Sequence, residues 1–183
     1  MTPPTTPATT SATTPANDLL VDAFGRVQEL VRETVDGLGS EQLTFRVDSA
    51  ANTIAWLVWH LTRIEDDHIA GLAGTAQVWH ADGWFERFGL PFDRDAHGYG
   101  HGPSDVAAVD VPAELLTGYH DAVHDRAVAY VASLDDDAYA EVVDDSWDPP
   151  VTRTVRLVSV VCDVLQHVGQ AAFIRGILER RPE

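Results

Sequence analysis

Apolar residues recur every three or four positions along four stretches of the chain, the spacing of one buried face of an α-helix. In the first, Leu20, Phe24, Val27, Val31, Val35 and Leu38 follow Asn17, a residue suited to capping a helix, and Gly37 and Gly39 offer a stop. In the second, Asn52 precedes Ile54, Leu57, Val58, Leu61 and Ile64, and Gly71 or Gly74 ends the run. This second helix carries His60. The third begins after Pro112 and repeats Leu115, Tyr119, Val123, Ala127, Tyr130 and Leu134 up to the triplet Asp135, Asp136 and Asp137. The fourth spans residues 155–181 without a proline, and Val158, Val161, Cys162, Leu165 and Ala172 are expected to form its apolar side.

Between these stretches the pattern breaks. Ser40, Glu41 and Gln42 form a polar connection, and residues 144–150 (DDSWDPP) read as a turn. Residues 75–110 mix Gly, Asp, His and Pro with Trp79, Trp84, Phe85, Phe88 and Phe92. A loop of this length in a small domain is usually functional or ordered by short elements of its own, and residues 83–89 are expected to form one such helix. It reads as a lid or rim. No run alternates with the period of a strand and no segment repeats, so the fold class predicted is all-α, a four-helix bundle.

Composition narrows the functions. The chain has 183 residues, enough for one core, which we place at residues 17–183. Residues 1–16 (MTPPTTPATTSATTPA) lack the charged and apolar regions of a signal peptide and read as a disordered Thr/Pro-rich tail. The formal charge is −17, and every one of the 12 basic residues is arginine. Such a surface repels phosphate backbones and anionic lipid, which sets aside nucleic acid and membrane as partners. The lysine-free, Ala/Val/Asp/Arg-rich usage is of the kind a GC-rich bacterial genome produces. One cysteine, Cys162, excludes an internal disulfide or CxxC pair and makes the cytoplasm the default compartment. We assign that thiol to packing.

Chemistry is concentrated on the fourth helix, where Arg156, Ser159, Asp163, Gln166, His167 and Gln170 share one stripe. A polar stripe is ordinarily a solvated face. This one lacks the Glu, Lys and Arg typical of such faces through its middle, and Asp163 and His167, four apart, can converge on one metal ion. A further ligand must come from elsewhere. His60 lies beside the apolar stripe of the second helix, a place where a histidine is more often a hydrogen-bonded boundary residue than a ligand. His120 and His124 are also four apart, but no neighbouring glutamate completes a metalloprotease pattern, so a solvated or interhelical contact is expected. His97 and His101 flank Gly98, Tyr99 and Gly100 in a loop read as flexible, and His68 is expected near the end of the second helix.

Three phrases carry a resemblance: NTIAWLVWHL at residues 52–61, WDPPVT at 147–152 and QHVGQAA at 166–172. In their order and separation they resemble the DinB-like superfamily of four-helix metalloproteins, which includes mycothiol-dependent maleylpyruvate isomerase and the mycothiol and bacillithiol S-transferases. The similarity spans about residues 18–181. It implies a metal held by a histidine of the second helix and a pair on the fourth, which carry over to His60, Asp163 and His167. Many members have histidine where Asp163 stands, and the isomerase-like branch resembles this chain more closely in its carboxylate.

The implied cofactor is a divalent metal, zinc or nickel, with a low-molecular-weight thiol of the mycothiol type as co-substrate. An open coordination position would let the cation favour the ionised, nucleophilic thiol over the neutral one. The expected activity is thus a metal-dependent thiol S-transferase or isomerase acting on a small electrophile, with a homodimer suggested by the resemblance. The alternative is a non-catalytic metal- or small-molecule-binding stress-response protein of the same fold.

Overall fold

Threonine starts three of the four long helices. Thr14, Thr53 and Thr152 each adopt an extended backbone and accept a hydrogen bond from the main-chain N–H three residues on, at Asn17, Trp56 and Val155. These hydroxyls, and not the expected Asn17 and Asn52, are the caps. Asn17 is instead buried in the first turn, where its amide donates to the Leu134 carbonyl. The first helix therefore begins at Pro15, inside the segment expected to be a tail.

The computed structural model describes residues 14–181, so the expected tail up to residue 13 lies outside the described residues. The elements are α1 (Pro15–Val35), α2 (Ser40–Leu43), α3 (Ile54–Ala73), α4 (Val78–Ala81), α5 (Trp84–Phe88), α6 (Pro103–Ala108), α7 (Ala113–Ala132), a 3-10 turn (Asp137–Ala140), β1 (Val142–Asp144), β2 (Val151–Thr152) and α8 (Arg153–Glu179). The long helices α1, α7, α3 and α8 form a ring, each packed on the next and α8 closing on α1. This is the all-α bundle the periodicity predicts. The antiparallel pair β1–β2 departs from it, because strands of two or three residues are too short to show a period.

Helix α3 is the central element. Its outer side is not solvated, because the long segment after it folds back as α4, α5 and α6, setting Trp79 against Trp59 of α3 and Trp84 and Phe88 against Tyr119 of α7. The short helix expected at residues 83–89 is α5, with Gly83 and Gly89 in the left-handed conformation at its two ends. Gly74, also left-handed, ends α3.

The phase of α8 is the main correction. Its buried face is Leu157, Val160, Val164, Val168, Ala171 and Ile174. Of the side expected to be apolar and inward, Val158, Cys162 and Leu165 are exposed and Val161 and Ala172 only half-buried. Helix α8 is apolar nearly all round, so periodicity has two solutions. Packing selects the one that brings the edge bearing Asp163 and His167 beside α3. The same composition makes α8 the one helix among the described residues long and apolar enough to cross a membrane, yet its inner face lies in the bundle against α3 and α1.

Candidate metal centre

His60 stands one turn after Trp56 on α3, and the two rings stack at 4.6 Å with an interplanar angle of 17°. Its Nδ1 bonds the main-chain carbonyl of His97. A carbonyl only accepts, so Nδ1 carries the proton and Nε2 keeps its lone pair. Across the seam on α8, His167 Nδ1 is held the same way, donating to the side-chain oxygen of Gln170 at 3.1 Å. Each histidine thus has its outer nitrogen occupied and its inner one free, the arrangement that orients metal-binding imidazoles.

The third group is Asp163. His167 Nε2 lies 3.8 Å from Asp163 Oδ1, the His60 and His167 rings meet edge-on at 4.8 Å, and one ligand atom from each of the three residues falls within 4.8 Å of the others. Two ligands held at about 2.0–2.2 Å from one ion at a tetrahedral angle are about 3.4 Å apart, so small side-chain movements suffice to close the trio. Asp163 Oδ2 is buried without a hydrogen-bond partner, as a carboxylate offered to a cation would be. Burial pushes the pKa of His60 down to about 4, against the pull of the His97 carbonyl, so the ring is neutral at neutral pH. Only the neutral ring binds metal.

The profile of the Mycothiol-S-transferase family matches residues 19–180. The chain belongs to that family. It is a DinB-like family, and membership carries a mycothiol S-transferase-like function in general terms. A conserved protein from Enterococcus faecalis, known from its crystal structure, is similar at 28% identity with a TM-score of 0.84, over 90% of this chain and 98% of its own. No curated protein matches.

In this member of the mycothiol S-transferase family, the loop after α3 does more than rim the site. Gly98 has φ +97°, and a Cβ there would lie 2.7 Å from His60 Nδ1 and 3.0 Å from the Trp56 ring. Only glycine lets the main chain approach closely enough for the neighbouring carbonyl to orient His60. Arg63 donates to the Ala96 carbonyl, Trp79 to that of Arg94, and Trp56 to His101 Nδ1, whose ring stacks on Trp59. The loop expected to be flexible is pinned from below. His97 acts through its main chain, and His101 is part of an aromatic floor.

The other candidates are dispersed. His68, half-buried two turns along α3 from His60, lines a polar groove of about 500 Å³ with Asp67, Asp144 and Arg156. On the other side of the trio a more apolar groove of about 600 Å³ is lined by Leu57, Gln166, Gln170 and Phe173. Cys162 is exposed and does not pack in the core, contrary to expectation, because the phase of α8 turns it outward. Of the two contacts expected for His120, the structure shows the interhelical one: the ring is almost fully buried beside Glu65 of α3. Sequence reasoning missed His97 and Gly98. The glycine-flanked HGYGH run was a signal for a tight approach, but a main-chain carbonyl has no signature.

Proposed function

We propose that the protein is a metal-dependent S-transferase that joins a mycothiol-type thiol to a small electrophile, with His60, Asp163 and His167 as ligands of a zinc or nickel ion. The observation that carries this reading is the pair of histidines whose Nδ1 atoms are both occupied, leaving two Nε2 lone pairs and the unpartnered Asp163 Oδ2 for one cation, in a chain of the Mycothiol-S-transferase family. An ion there would supply the positive charge that lowers the pKa of a thiol.

The chain's own residues hold and shield that place. His97 and Gln170 fix the ligand rings, Trp56 covers one face of His60, and the Gly98 turn keeps bulk water off it. The groove bearing Leu57 and Phe173 offers an apolar wall for the electrophile. The opposite groove offers Arg156 and His68 to the polar parts of the thiol. Cys162 faces away and supplies no sulfur to the reaction, so the nucleophile is a small molecule in the cytoplasm.

The test is conjugation of mycothiol to a panel of electrophiles by intact, chelator-treated and His60→Ala protein, with glutathione as the control thiol. Rates above background in the intact sample alone support the proposal. Equal rates in all three remove the metal from the mechanism, and bound metal without turnover favours a binding protein of the same fold.

The outer face of α8 supports a homodimer. Val155, Val158, Cys162, Leu165 and Phe173 are exposed along it, and in a chain of formal charge −17 this stripe carries no acidic side chain. Two copies can meet there without like-charge repulsion. Sedimentation should find a dimer that Phe173→Asp converts to monomer.

A further inference from the structure

Five residues beyond His60 on α3, and so about 140° around the helix, Glu65 points away from α8 and toward α7. It is fully buried, and neither carboxylate oxygen has a hydrogen-bond partner. Facing it is His120, 1% exposed, with both ring nitrogens unpartnered. One turn further along α7, His124 presents a buried Nδ1 that is also without a partner. Five buried polar atoms in the α3–α7 seam thus have no hydrogen-bond partner.

Leaving such groups unsatisfied costs about 1–3 kcal/mol each, and more for a charge, so the folded protein must satisfy them. The neighbouring charges are already committed. Asp66 accepts from Val78 N–H, Trp79 N–H and the Tyr119 hydroxyl; Arg63 donates from Nε to Ala96 and from Nη1 to Gln77 and Tyr119, and its unpartnered Nη2 starts two residues before Glu65, on the other side of α3. Asp121, on the outer side of α7, is taken by Gln28 and Arg32. A proton shared between Glu65 and His120 would satisfy only two of the five atoms.

We propose that Glu65, His120 and His124 form a second, structural site for a divalent cation in the α3–α7 seam. Glu65 Oε2 and His120 Nε2 are 3.6 Å apart, long for a hydrogen bond and near the roughly 3.4 Å between two ligands of one tetrahedral ion. Two imidazoles four apart on one helix and a carboxylate from the next make a ligand set suited to zinc, and bundle interiors commonly build metal sites this way. His124 is half-buried, which gives the ion a way in; its ring closes on the pair by a side-chain rotation. The ion's charge offsets that of a carboxylate with no other cation at hand. This site is independent of the reading proposed for His60, Asp163 and His167.

The experiment titrates zinc alone into tag-free, chelator-stripped full-length protein and counts retained metal by elemental analysis. The wild type is expected to hold two equivalents and His167→Ala one. Adding Glu65→Gln or His124→Ala to His167→Ala should abolish the remaining equivalent. Zinc at a hundredfold excess over Kd should raise the thermal midpoint of His167→Ala by roughly 5–10 °C, an effect that the added His124→Ala removes. If Glu65→Gln does not fold, His124→Ala, at a half-exposed ring, gives the same reading. A single equivalent lost with His167→Ala overturns the second site and leaves the first. A single equivalent that survives His167→Ala but not His124→Ala supports the second site and removes the first. Zinc retained by the His167→Ala protein despite added His124→Ala and Glu65→Gln overturns the proposal.

Discussion

Asp66 is a buried carboxylate in the α3–α7 seam, and Asp163, half-exposed at the edge of the α3–α8 seam, turns one buried oxygen inward. Every oxygen of Asp66 is committed: Oδ1 accepts from Val78 N–H, and Oδ2 from Trp79 N–H and the Tyr119 hydroxyl, each at 2.8 Å. Burial raises its pKa while these bonds pull it down. Asp163 sits among two histidines whose donors are spent elsewhere, and its Oδ2 has no partner. A buried acid whose lone pairs are filled ties elements together. One whose lone pairs face other lone pairs ties nothing together, and a cation would satisfy it.

The largest effect that would break this contrast lies in stability. Asp66→Ala leaves two main-chain donors and Tyr119 without their acceptor and Arg63 without its counter-charge, and should lower unfolding free energy by about 3–5 kcal/mol in urea titrations. Asp163→Ala should change it by less than about 1 kcal/mol while reducing retained metal strongly. Equal losses from both would mean that Asp163 too is a structural acid.

Next comes pH. His60 has a pKa of about 4 in the folded protein against 6.5 for an exposed ring, so between these values the unfolded chain binds a proton the folded one does not. Stability should therefore be complete above about pH 6.5 and fall as pH drops toward 4, by up to about 3 kcal/mol from this residue. Burial lowers His68, His101 and His124 in the same direction, so the measurement is the difference between metal-free wild type and His60→Gln. Identical slopes would place His60 in water.

A smaller effect is expected at Gly98. Alanine there combines a left-handed backbone with a Cβ against His60 and should cost about 1–3 kcal/mol, with lower metal retention, both read by thermal melts with and without zinc. The smallest change in stability is expected from Gln170→Ala, which frees His167 to turn. It should weaken zinc binding about 10–100-fold and leave the melting curve of the metal-free protein in place.

The helices were readable wherever charged residues mark an outer face, as on α1 and α7. On α8 the outer face is as apolar as the inner, so periodicity alone does not fix its phase. Even so, Asp163 and His167 could be paired, because spacing of four along a helix does not depend on which side is buried. His60 required the resemblance as well, since a lone histidine has no partner in sequence. The run TRIEDDH reads as a solvated stretch, yet Arg63, Glu65 and Asp66 in it are buried, because α7 and the folded-back loop cover α3 on sides that local sequence cannot show. The supports of the site were least visible: one is a main-chain carbonyl and another is a missing side chain.

The bond between His60 and the His97 carbonyl also couples two equilibria. The loop cannot lift away from α3 without releasing the ring, and a released ring no longer presents Nε2 toward α8. Whatever binds the oriented imidazole therefore also binds the docked loop and shifts it, by mass action, toward the closed form. Amide exchange at residues 96–101 would then report occupancy of a site in which those residues supply no ligand.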